Sequence, residues 1–125
     1  MMADDEHLFQ GGRNIAVKIP PHEFDVTLRF YRDTLRLKQV RDYLPSHVFE
    51  FGTNLLWLDR VETMARTELW LELRTPDTNH AAAQLETSGV VRCDAVEQLP
   101  EGFDGFWISS PGNIIHLVRG PKSSI

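Results

Sequence analysis

Two stretches of this chain follow the same plan. NLLWLDR (Asn54 to Arg60) and NIIHLVRG (Asn113 to Gly120) each read as Asn, two large aliphatics, an aromatic ring, then Leu. Short apolar strands often look alike, so the echo gains weight only from what precedes it each time. Ahead of the first stands RNIAVKIP, a strand by its alternation of Ile15, Val17 and Ile19 against Asn14, Ala16 and Lys18. Pro20 and Pro21 stop it. HEFDVTLRFYRDTLRL then spaces Phe24, Leu28, Tyr31 and Leu35 so that they form one apolar stripe on a helix from His22 to Arg36. Strands follow at Lys38 to Tyr43, His47 to Phe51 and Asn54 to Arg60, with a hairpin turn at Gly52-Thr53 between the last pair.

The polar segment VETMART is a connection, after which the order begins again. ELWLELRT alternates Leu69, Leu71 and Leu73 against Glu68, Trp70 and Glu72. PDTNHAAAQLETSG predicts a helix with Asp77 or Thr78 as N-cap and Gly89 as its stop. Further strands are expected at Val90 to Asp94, Phe106 to Ser110 and Asn113 to Arg119. The chain thus reads as strand, helix, three strands, twice over, an α+β arrangement of two similar modules at about 13–60 and 68–120. Residues 1–12 read as a flexible tail and 121–125 as another.

At 125 residues the chain is long enough to bury one real core. A formal net charge of -5, with Lys and Arg scattered, gives no electrostatic support to a nucleic-acid role. Cys93 is the single cysteine, which excludes an internal disulfide and a cysteine-based zinc site. No apolar run approaches the length of a membrane span, and the acidic opening MMADDEHLFQGG is unlike a signal peptide. A cytoplasmic location is the expectation.

The order βαβββ–βαβββ, the helix phrase RFYRDTLRL and the terminal SSPGNIIHLVRG together resemble the vicinal oxygen chelate superfamily, which holds glyoxalase I, bleomycin-resistance proteins and extradiol dioxygenases. Phe30-Tyr31-Arg32-Asp33 matches the family's first-helix phrase, and Pro111-Gly112-Asn113 its phrase before the last strand. Arg36 stands where the family usually has glycine, and Ser110 where it often has aspartate. The resemblance spans roughly Arg13 to Gly120. It implies a curved, cup-like mixed sheet with one helix covering each module, and a homodimer in which the cup is built within one chain or across two. The small-molecule ligand of such a protein lies in the cup.

Metal-dependent relatives take ligands from the first and last strands of each module, positions that correspond here to Asn14, Trp57, Glu68 and His116. Trp57 has only an N–H to offer, and Asn14 is a weak ligand. Glu68 and His116 remain, an incomplete set for any divalent metal cofactor. An extradiol iron site needs two histidines and a carboxylate, and one of those histidines is missing. His7, His22 and His80 read as surface or capping residues, whereas the strand of His47 could border the cup.

Strand alternation puts Asn14, Ala16 and Lys18 together, then Glu68, Trp70 and Glu72, then Leu55, Trp57 and Asp59, and then Ile114, His116 and Val118. The four family positions thus all fall on the less apolar faces. The expected cup lining is Asn14, Lys18, Trp57, Asp59, Trp70 and Glu72, with Glu68 and His116 as an acid–base pair. Three functions fit. One is metal-independent binding of a small organic molecule; another is lyase, isomerase or dioxygenase-type catalysis by Glu68 and His116, with or without a metal. The last is a dimeric interaction module with a vestigial cup. Plainer roles fit the same residues: packing for the tryptophans, a cross-strand ion pair for Lys18 and Glu72, and a simple hydrogen bond between His116 and Glu68.

Overall fold

A computed structural model of the protein describes residues 7–122. The chain divides into two compact units, one from Arg13 to Trp70 and another that joins the residues up to Gly12 with those from Leu71 onward. The class is α+β, with mixed sheet pairing and a helix in each unit. No helix among the described residues is long and apolar enough to cross a membrane.

In the first unit, strand β2 (Asn14–Ile19) runs parallel to β4 (Asn54–Arg60), and β3 (His47–Phe51) pairs antiparallel with β4. The turn between β3 and β4 uses Gly52 at φ 65°, a left-handed conformation that glycine adopts at no steric cost. The opening residues of β5 (Glu68–Arg74) pair antiparallel with β2, setting Lys18 opposite Glu68 and Ala16 opposite Trp70. Helix α1 (Pro21–Arg29) begins directly after β2, because Pro20 is extended and Pro21 suits a first helical turn, where its missing N–H has no partner to lose. It presses Leu28, Phe24 and the following Tyr31 onto Ile15, Val17, Ile19, Phe49, Leu56 and Leu58, the core of this unit.

Two expectations need correction here. The helix does not continue regularly to Arg36: it passes at Phe30 into a π turn ending at Thr34, and Arg36 lies at φ 56°. The bond from Leu35 N–H to the Phe30 carbonyl, five residues back, marks that wider turn. The expected strand from Lys38 to Tyr43 reduces to one bridge between Gln39 and Phe49, followed by a 3₁₀ turn at Arg41–Tyr43. Outside the regular strands, two backbone bonds tie this segment to β3: Val40 N–H to the Val48 carbonyl, and Glu50 N–H to the Lys38 carbonyl.

In the second unit, the remaining residues of β5 run parallel to β8 (Ile115–Arg119). β7 (Gly105–Ser109) lies antiparallel to β8, and the two-residue β6 (Val91–Arg92) borders β7. Helix α2 (Thr78–Thr87) starts where the sequence puts it: the Asp77 carboxylate accepts the His80 N–H at 3.0 Å. It stops before Gly89, at φ 79°. Ala81 of α2 packs with Phe106, Ile108, Val118 and Leu8.

Leu8 comes from the stretch that reads as a tail, yet it is 2% exposed. Beside it, Gln10–Gly11 form strand β1, which pairs with the end of β5. Within the described residues, the N-terminal stretch is therefore part of this unit's sheet and core. Leu69 departs in the opposite sense. It pairs with Val17, on the α1-side face as expected, but is 56% exposed.

Candidate functional site

The face of the first unit opposite α1 carries an unusual mixture. Register places Asn14, Ala16 and Lys18 of β2 level with Leu55, Trp57 and Asp59 of β4, while Trp70 and Glu68 of β5 fall opposite Ala16 and Lys18. Neighbouring residues in register share a face. Six of the eight expected site residues, Asn14, Lys18, Trp57, Asp59, Glu68 and Trp70, therefore lie together on this one surface.

Lys18 is its centre. Its residue is 3% exposed, an uncommon place for an ammonium, which is costly to bury unless compensated. Asp59 and Trp70 both contribute to that compensation. Nζ lies 2.8 Å from Asp59 Oδ2, and 4.5 Å from the centroid of the Trp70 ring, within cation–π range. The Trp70 indole is itself fixed, since Nε1–H donates to Glu68 Oε1 at 3.0 Å. Trp57 is fixed likewise by donating to Asn14 Oδ1 at 2.8 Å. Tyr43 packs its ring 4.8 Å from that of Trp57.

This donor chemistry is a poor fit for a metal. Trp57 offers no lone pair, the Asn14 oxygen is engaged by Trp57, and the Asp59 carboxylate balances Lys18. Among the described residues, no group of three or more His, Cys, Asp and Glu is placed to hold a metal ion.

Glu72 and His116 belong to the second unit. Glu72 is buried and accepts from Arg119 Nη1 at 3.1 Å, with both side chains nearly inaccessible. Gly12 is pressed against it so closely that a Cβ there would collide with the carboxylate. His116 is placed differently from the expectation. It pairs in register with Leu71 and so shares the face of Leu73 and Val118, which is the side of the α2 core and not that of Glu72. A shift of one residue in register turns every side chain of a strand to the opposite face, and the analogy with Trp57 does not carry across that shift. The His116 ring Nδ1 lies 3.0 Å from the Ile114 carbonyl.

Two neighbours of these residues are not legible in the sequence. Tyr43 was hidden in a segment that reads as a strand. Arg119 carried a signal, a cation at the end of an apolar strand, but its partner Glu72 lies far away in sequence. Burial pushes the Cys93 thiol pKa up, with Asp94 adding to the effect, which disfavours the nucleophilic thiolate.

No protein-family model and no curated protein matches the sequence. Solved structures do match in fold. The Mn(II)-bound glyoxalase from Novosphingobium aromaticivorans superimposes with a TM-score of 0.61 at 20% identity, over 89% of this chain and 38% of that one. A hypothetical protein from Bacillus halodurans C-125 gives 0.63 at 13% identity, over 94% and 97% of the two chains. A glyoxalase/bleomycin resistance protein/dioxygenase superfamily member from Vibrio splendidus 12B01 gives 0.54 at 8% identity, over 87% and 97%. The chain spans well under half the length of the Novosphingobium glyoxalase. The protein has the fold of the vicinal oxygen chelate superfamily, the glyoxalase/bleomycin-resistance/dioxygenase fold, as the sequence resemblance implied.

Proposed function

We propose that the protein binds a small organic molecule on the Trp57–Trp70 face of the Arg13–Trp70 unit, without needing a metal held by the protein. The supporting observation is Lys18, buried and held between the Asp59 carboxylate and the Trp70 ring. Apolar walls with a few oriented polar groups suit recognition of a small ligand. Here the half-buried Trp57 indole supplies a flat surface for a planar group, and Lys18, buried beneath that face over the Trp70 ring, supplies a fixed positive charge for a carbonyl or anionic one. Glu68 is the group on this face that could exchange protons with a bound molecule. The family resemblance adds a homodimer and a cytoplasmic location to this reading, and sedimentation of the purified protein tests the first.

Tryptophan fluorescence titrated against a compound library in the presence of EDTA tests the main reading. At least one compound is expected to change the emission saturably, with affinity lost in Lys18→Met and weakened in Trp57→Phe. Binding that appears only when a divalent metal is restored would overturn the metal-independent part. Binding unaffected by either substitution would overturn the site. Removing one partner of so buried a pair should also cost about 1–3 kcal/mol of stability, so each variant is assayed below its own unfolding transition.

A further inference from the structure

The second unit carries a separate row of polar side chains that the tryptophan face does not use. Gln10 of β1 pairs in register with Arg74 of β5, and Arg74 pairs with Arg119 of β8. Residues in register share a face, so a side-chain amide and two guanidiniums stand side by side across three strands. All three line one surface pocket of about 380 Å³, with His7 and Thr75 also in its wall.

Like charges directly opposite on neighbouring strands repel, so this sequence sets a cost at that position that something must offset. Glu72 offsets one charge. It bonds Arg119 Nη1, and Arg119 also lies against Phe103, its Cζ 5.8 Å from the ring centroid. Arg119 Nε, by contrast, is buried and has no hydrogen-bond partner among the described residues. Arg74 is exposed and makes no ion pair among the described residues. Of the carboxylates of the adjoining loops, Asp77 caps α2, and Asp104, which stands against Gly120 in the pocket wall, accepts from Thr78 and from the Lys122 N–H. Arg74 is thus the cation of this pocket that no carboxylate bonds among the described residues.

We propose that this pocket is a binding site for a small oxyanion, the phosphate or carboxylate group of a metabolite. Arg74 supplies the forked donor that matches two oxygens at once, and Gln10 supplies an amide donor beside it. Arg119, locked by Glu72, supplies charge from behind. The site lies wholly within the second unit and does not depend on what the tryptophan face binds.

Calorimetric titration of the full chain with sodium phosphate, and separately with malonate, tests the proposal, with chloride holding the ionic strength constant. Saturable binding of at least one anion is expected. Arg74→Gln should weaken it by roughly tenfold or more, and Arg74→Lys, which keeps the charge but not the fork, by less. Gln10→Ala provides a second variant should Arg74→Gln fail to fold. Phosphate alone binding would assign a phosphoryl ligand, malonate alone a carboxylate, and both would support recognition of the shared charge. Absence of saturable binding for both anions, or unchanged affinity in the variants, overturns the site.

Discussion

Arg36 is the residue whose backbone and side chain disagree most plainly. It lies at φ 56°, a left-handed conformation that costs a residue with a Cβ about 1–2 kcal/mol. Glycine would remove that cost but lose more backbone freedom on folding, about 0.5–1 kcal/mol. Arg36→Gly is therefore expected to stabilise the protein by up to about 1 kcal/mol, a rise of a few degrees in Tm seen by calorimetry. A fall would mean that the arginine side chain contributes more than its backbone loses. Asn113, at φ 65°, offers no such gain, because Asn tolerates this region and its N–H is already bonded to the Ser110 carbonyl at 2.8 Å.

The elements differ in how far sequence determines them. Both ends of α2 could be read directly, since a cap and a stop are local chemistry: Asp77 receives the His80 N–H, and Gly89 takes the left-handed turn. Asp77→Ala should accordingly cost about 1 kcal/mol in a denaturant titration, and Asp77→Asn or Asp77→Ser much less. A loss as large for Asn as for Ala would point to the charge and not to the cap. The break of α1 at Phe30 could not be read, because Phe24, Leu28 and Tyr31 keep helical spacing up to and through the transition to the π turn. Lys38 to Tyr43 failed for another reason: a strand needs a partner along its length, and Gln39 finds one bridge. The facing of His116 depends on register against β5, which is a long-range property. Local alternation groups His116 with Val118 correctly but leaves open which side of the sheet that pair faces. In the candidate site, the six residues of the first unit were found together because β2, β4 and the start of β5 are regular and in simple register.

For the molecule as a whole, the sequence and the structure rank two leucines in opposite orders. ELWLELR alternates cleanly and marks Leu69 as a core residue, whereas HLFQGG shows no period and marks Leu8 as part of a tail. The structure buries Leu8 to 2% exposure among Ala81, Phe106, Ile108 and Val118, and leaves Leu69 56% exposed. A two-residue strand such as β1 is too short to show alternation, so nothing local announces that this stretch completes a unit whose other residues begin at Leu71. Buried leucines truncated to alanine lose about 2–5 kcal/mol, by lost transfer energy and by the cavity left behind. Leu8→Ala should fall in that range, and Leu69→Ala within about 0.5 kcal/mol of the parent. Urea denaturation of the two variants decides the matter: a lower midpoint at unchanged slope for Leu8→Ala alone is the expected result. If Leu69→Ala proves the costlier, that face is covered in solution, and a dilution series would show whether a second copy of the chain covers it.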